Sequence, residues 1–142
     1  MTTVKPFGSI ETALKALLLA KYPPLVDLGS AAAARVGGDL AYDAATMDFY
    51  IRLDKVPGGR NDRFGGAFIV DVEVFGVNYL ETESRSLDIE ALLLGYPHVV
   101  EVGDKTWVFD TVSQNTGPDD LPWEDDEVSR LGATYVITAR RR

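Results

Sequence analysis

No cysteine occurs in the 142 residues. That excludes disulfide scaffolding, thiolate metal sites and cysteine nucleophiles, and it fits a protein made in a reducing cytoplasm. Histidine occurs once, as His98. A zinc site around one histidine and no cysteine would rest mostly on carboxylates, which is unusual. No Gly-x-Ser-x-Gly turn, no Walker loop and no strand–glycine turn–helix dinucleotide pattern is present. Positive charge is scarce: 14 Lys and Arg face 22 Asp and Glu, for a net charge of −8. Non-specific nucleic-acid binding neutralises phosphates with Lys and Arg, so it is disfavoured for the chain as a whole. Long apolar runs are missing too, and none approaches the ~18 residues a membrane span needs. The first residues, MTTVKPFGSIE, lack the charged-then-apolar layout of an export signal, so export is not expected. No repeat or low-complexity tract interrupts the chain, and its length predicts one domain spanning residues 1–142.

What is present is organised around Ala67 to Gly76, AFIVDVEVFG. Phe68, Val70, Val72 and Val74 fall at every second position, so a strand here puts them on one face. The other face carries Ile69, Asp71, Glu73 and Phe75. Asp48 to Val56 alternates as well, with Phe49, Ile51 and Leu53 on one face and Tyr50, Arg52 and Asp54 on the other. The glycine-rich link Pro57 to Gly66 joins the two segments, which predicts an antiparallel hairpin with a long tip. Arg60 and Arg63 in that tip suit either a phosphate contact, a tip that orders against a neighbouring subunit, or a solvated loop.

Two helices are expected to cover the apolar face. Ser9 caps the first, with Ile10, Leu14, Leu17 and Leu18 on its core side, and Pro23-Pro24 stops it. The second runs from Asn78 to Leu94, with Leu80, Leu87, Ala91 and Leu94 on one face and Gly95 ending it in the left-handed conformation. Residues 24–46 are expected to be irregular with one short strand. Val99–Val102, Gly103-Asp104 and Lys105–Val112 predict a tight hairpin with a II′ turn. Ser113 to Asp120 reads as a turn-rich link and Thr134 to Thr138 as the last strand; the terminal arginines suit a phosphate contact, the acidic cluster of a neighbouring copy or a frayed solvated tail, the last being preferred. The fold class is therefore α+β: a mixed, mostly antiparallel sheet with two α-helices packed against it.

Three places carry candidate chemistry. Asp71 and Glu73 are either an acid/base or metal pair, or a polar face paired with Arg52 across the ladder; the second is preferred because nothing else catalytic converges there. An enzyme would need Asp71, Glu73 and His98 in one pocket. Asp119, Asp120, Glu124, Asp125, Asp126 and Glu127 form the densest acidic cluster, without the alternating ligands and central glycine of a calcium loop. Trp123 beside these acids either packs on the sheet or anchors a protein partner.

The C-terminal third then resembles a known family. Gly117-Pro118, Leu121-Pro122-Trp123, Asp125-Asp126, Arg130 and the closing Tyr135 to Thr138 strand occur in the order seen in tail terminators of long-tailed (siphovirus) actinobacteriophages. Val56 to Gly59, the DVEVFG strand and the helix ending in LLLGYP are similar to that family as well. The resemblance implies a non-enzymatic, cofactor-free structural protein of the virion tail, assembled in the host cytoplasm. It implies a hexameric ring that caps the head-proximal end of the tail tube, ends tube growth and offers the head–tail joining surface. The partners implied are further copies of the chain, the tail tube protein and a head-completion or neck protein, with DNA passing through the lumen and no membrane. A neck or connector protein is the alternative, and a small carboxylate enzyme a more distant one. For a ring, Arg52, Arg60, Arg63, Asp71, Glu73 and Phe75 are the candidate subunit interface. Asp119, Asp120, Trp123, Glu124, Asp125 and Asp126 are the candidate surface for the tube or neck.

Overall fold

A computed structural model describes residues 9–62, 65–121 and 127–142. The chain begins with α1 (Ile10–Lys21), α2 (Pro23–Leu28) and a 3-10 helix (Gly29–Arg35). Strands β1 (Val36–Gly37), β2 (Phe49–Val56), β3 (Asn61–Asp62) and β4 (Gly65–Gly76) follow, then α3 (Tyr79–Leu94). Strands β5 (His98–Val102), β6 (Lys105–Asp120) and β7 (Ser129–Arg141) complete the chain. The sheet has seven strands in the order β1-β2-β4-β7-β6-β5, with β3 paired to β4. Among the described residues only the β1–β2 pair is parallel, so the fold is α+β with a mixed, mostly antiparallel sheet.

β4 sits between β2 and β7, with Val72 facing Leu53 on one side and Ala133 on the other. The alternation of β4 therefore extends across its neighbours. Phe68, Val70, Val72 and Val74 join Ile51, Leu53, Tyr135 and Ile137 in one buried cluster. The same cluster holds Ile10, Leu14, Leu17 and Leu18 of α1 and Ile89 and Leu93 of α3. Both helices thus lie on one face of the sheet. α1 touches both β2 and β5, near opposite sides of the strand order, so the sheet curls around it. Three register shifts between β6 and β7 bend the long strand to follow that curl.

Local rules set the helix starts. Ser9 accepts from the Thr12 amide at 3.2 Å, and Asn78 accepts from the Glu81 amide at 3.0 Å. Pro23 and Pro24 end α1 but open α2, because proline is tolerated in the first turn of a helix. Residues 23–35 are accordingly helical, and the one short strand of this region is β1. At the β5–β6 turn, Gly103 has φ +61° while Asp104 keeps a negative φ, the pattern of a II′ turn. Gly95 closes α3 at φ −82°, on the right-handed side, in place of the left-handed cap its position predicts.

The expected core face of α3 is turned outward. Leu80, Leu87 and Leu94 are 73%, 46% and 39% exposed, and Ala91 is exposed between them. The buried face is Thr82, Ser86, Ile89 and Leu93. Close approach is the reason. A Cβ on Gly76 would lie 2.5 Å from Thr82 Oγ1, so this end of the helix lies tight on β4, where only small side chains fit. The Thr82 hydroxyl is satisfied locally, donating to the Asn78 carbonyl at 2.8 Å.

The C-terminal strands also differ from expectation. β6 does not end at Val112; it continues through Ser113–Asp120 with bulges and a cis Gly117–Pro118 bond. The last strand begins at Ser129 and carries the terminal arginines into the ladder. Arg140 and Arg141 face Val108 and Trp107, and the Arg142 amide donates to the Thr106 carbonyl at 2.8 Å. A frayed tail is thereby corrected to a paired strand, because the start of β6, Thr106 to Val108, lies alongside the last residues.

The orientation of α3 is directly testable by denaturation. Ile89→Ala should cost about 2–4 kcal/mol, as expected of a buried aliphatic deletion. Leu87→Ala, on the outer face, should stay within about 0.5 kcal/mol.

Candidate functional site

The face of the sheet turned away from the helices collects the polar alternates. β4 supplies Ile69, Asp71, Glu73 and Phe75, β2 supplies Tyr50, Arg52, Asp54 and Val56, and β7 supplies Arg130, Gly132, Thr134 and Val136. At one end this face is apolar and covered. Phe75 is fully buried, with Tyr42 stacked on it at 5.9 Å and Tyr50 tilted against it at 6.2 Å. The Arg130 guanidinium lies 5.6 Å from the Phe75 ring centre. Phe75 is therefore not available as contact surface; it supports the face from beneath.

Next to this cluster lies Glu73, only 6% exposed. Arg52 Nη1 donates to its Oε1 at 2.9 Å, and Arg130 Nε donates to its Oε2 at 2.6 Å. Arg52 Nε also donates to the Gly38 carbonyl at 3.1 Å, tying the loop before β2 to the same group. Each carboxylate oxygen thus has a charged donor, which is the condition for burying a charge at tolerable cost. The register explains the geometry. Glu73 faces Arg52 on β2 and Gly132 on β7, while Arg130 reaches it from the adjacent row. Gly132 leaves the space into which Leu121 folds, since a Cβ there would lie 2.5 Å from Leu121 Cδ1.

A shallow cleft of about 140 Å³ opens beside this pair, lined by Asp71, Glu73, Thr116, Asp119, Leu121 and Thr134. Asp71 accepts from Thr134 Oγ1 at 2.6 Å. No group of three or more His, Cys, Asp or Glu is placed to hold a metal among the described residues. His98 is elsewhere. It sits on β5, three strands from β4, with Nε2 3.1 Å from the Leu93 carbonyl and its ring edge-on to Phe109. In register it is level with Gly66, through Phe109 and Ala139; it is thus three strands (~14 Å) across the sheet and five or more residues (~17 Å) along it from the carboxylate pair, so the Asp71–Glu73–His98 site an enzyme would need is not assembled.

Of the residues expected to be functional, Arg52, Asp71 and Glu73 come together on the open face. Arg60 is exposed at the β2–β4 tip, which is internally tied by Asn61 Nδ2 donating to the Ala67 carbonyl at 3.0 Å. Asp119 and Asp120 are exposed at the opposite end of the sheet, where β6 finishes. Arg63, Trp123, Glu124, Asp125 and Asp126 lie outside the described residues. Sequence reasoning missed Arg130 as the second partner of Glu73 and Tyr42 as the cover of Phe75. Alternation traced back from Thr134 to Ser129 would have put Arg130 on the open face; no local signal places Tyr42.

Removing the shared carboxylate should leave two guanidinium groups facing each other. Glu73→Gln is expected to destabilise the fold by about 2–3 kcal/mol in chemical denaturation, below the full cost of breaking a deeply buried pair because both arginines reach water. An unchanged midpoint would show that the pair contributes nothing.

No family model matches the chain, and no curated protein matches it. Solved structures do. A chain of the virion of a native gene transfer agent (GTA) particle aligns over 94% of this chain and 96% of its own length, with a TM-score of 0.65 at 11% identity. A second solved chain aligns over 92% of this chain and 97% of its own at 13% identity, with a TM-score of 0.47, too low to carry an argument. At 11% identity, what this chain has in common with the virion chain is its fold.

Proposed function

We propose that the chain is a structural virion protein, and specifically a tail terminator that forms a ring on the head-proximal end of a phage tail tube. The observation that carries the coarser reading is the fold shared, over nearly the whole of both chains, with a component of a gene transfer agent virion. The finer reading rests on the ordered motifs from Val56 to Thr138 and on their resemblance to actinobacteriophage tail terminators. The geometry is consistent with an assembling role. The carboxylates on the open face are engaged by arginine and threonine rather than aimed into a deep pocket.

In this reading the copies meet head to tail, the arrangement that closes a ring when the rotation between neighbours allows it. The tube or neck is met at an end of the sheet, where Asp119 and Asp120 are exposed. The charge of −8 suits a lumen through which DNA passes without adhering. The inferred partners are further copies of the chain, the tube protein and a head-completion protein. The inferred location is the virion tail, after assembly in the host cytoplasm.

Native mass spectrometry across a concentration series should show a closed hexamer growing in with concentration. Added tail tubes should bind it at one end and stop elongating. A chain that stays monomeric at every concentration, alone and with tube ends supplied, would refute the reading. Binding to isolated heads and not to tubes would replace it with the neck alternative.

A further inference from the structure

Seven of the nine large hydrophobic residues that the described chain leaves exposed fall between Val77 and Val99. Three of them, Leu80, Leu87 and Leu94, recur at intervals of seven along α3, with the exposed Ala91 between the last two. At 100° per residue they form one stripe, on the side of the helix away from the buried Thr82, Ser86, Ile89 and Leu93. Carboxylates border the stripe on both sides: Glu81 and Asp88 on one flank, Glu83 and Glu90 on the other. The single basic residue of α3, Arg85, is turned inward, its guanidinium 4.8 Å from the Phe49 ring centre. The outer face of α3 is thus apolar along its middle and acidic along both margins. Its complement is an apolar surface with a basic margin.

This chain presents such a surface on its opposite side. On the open face of the sheet, Val56, Ile69 and Val136 stand in one row across β2, β4 and β7, each half-buried. No described helix packs over that row. Two arginines stand toward the same end of the sheet: Arg60 in the tip that pairs with Gly66 and Ala67, and Arg140 opposite Gly65. Arg140 is 52% exposed at its side chain, and among the described residues its carboxylate partner is the half-exposed Asp110, at 3.1 Å.

The hydrophobic core lies between the two surfaces, so one copy cannot bring them together. We infer that the outer face of α3 docks on the open sheet face of a second copy of this chain, leucine stripe over the Val56–Ile69–Val136 row and carboxylates toward Arg60 and Arg140. The contact joins unlike patches and is therefore head to tail, each copy keeping one face of each kind for the next. A 16-residue helix is ~24 Å long and ~10–12 Å across, a footprint of ~260 Å² against the ~800 Å² per partner of a standard interface. The stripe is thus the centre of the contact. Val77, Tyr79 and Tyr96, all exposed beside the two ends of α3, extend it. The inference deepens the ring reading by naming the surfaces that join.

Complementation between two broken copies tests it. Leu87→Asp disables the helix face and leaves the sheet face intact; Val136→Glu does the reverse, and Leu80→Ser serves as a second helix-face variant. Each is expected to remain folded by circular dichroism, to be monomeric by native mass spectrometry and to weaken self-association at least 100-fold. A 1:1 mixture of Leu87→Asp and Val136→Glu should form a dimer and nothing larger, because one good interface remains and the chain of contacts stops there. If the wild type assembles and the helix-face variants assemble equally well, this inference is overturned while the ring reading stands. Assembly by Val136→Glu alone would overturn the pairing with the sheet face. A wild type that is monomeric throughout overturns both.

Discussion

Burial of one face of β4 is the constraint on which the structure depends. The strand is hydrogen-bonded along both edges, to β2 and to β7, so its direction and register set those of the central sheet. Phe68, Val70, Val72 and Val74 project to a single side and are nearly inaccessible. At ~1.5–3 kcal/mol for each fully buried side chain, these four contribute ~6–12 kcal/mol, as much as the whole net stability of a typical domain. Sliding β4 by one residue would exchange them with Asp71 and Glu73 and place carboxylates under the helices. The register is therefore strongly specified, and the helices have only one side on which to pack.

The reverse face follows from the same alternation. Once the apolar alternates are buried, Asp71, Glu73 and Phe75 must share the other side. Phe75 is withdrawn under Tyr42, Tyr50 and Arg130, and Glu73 beside it loses most of its water. Arg52 and Arg130 supply what water would have given, one guanidinium to each oxygen. Because those arginines come from the two strands flanking β4, the ion pair also ties the three strands together on the side where no helix does so.

A sheet covered on one face by helices, with an unlike second face, is suited to joining copies of itself. Its outer helix is apolar with acidic margins, its open sheet face is mixed with arginines toward one end, and its two ends differ in charge. Asp119 and Asp120 mark one end; Arg60, Arg140, Arg141 and Arg142 mark the other. Such polarity favours repetitive head-to-tail contact over self-complementary pairing, in keeping with the virion role proposed from the shared fold.

The sequence by itself determined the central strands β2 and β4, the start of α1 and the β5–β6 turn, because these depend on neighbours two to four residues apart. Alternation in β2 and β4, the Ser9 cap and the Gly103 turn were all legible for that reason. It also made the Arg52–Glu73 pair accessible, through the hairpin register. Tertiary structure decided what depends on distance between elements. Gly76 lets Thr82 approach to contact distance, so Thr82 and Ser86 face the sheet and Leu80, Leu87 and Leu94 face outward, against the ordinary amphipathic reading. The start of β6 gives the terminal arginines ladder partners, and Arg130 and Tyr42 reach the β4 face from segments far along the chain. Hydrophobic periodicity says that a helix has two faces; only the room left by the surface beneath decides which of them is buried.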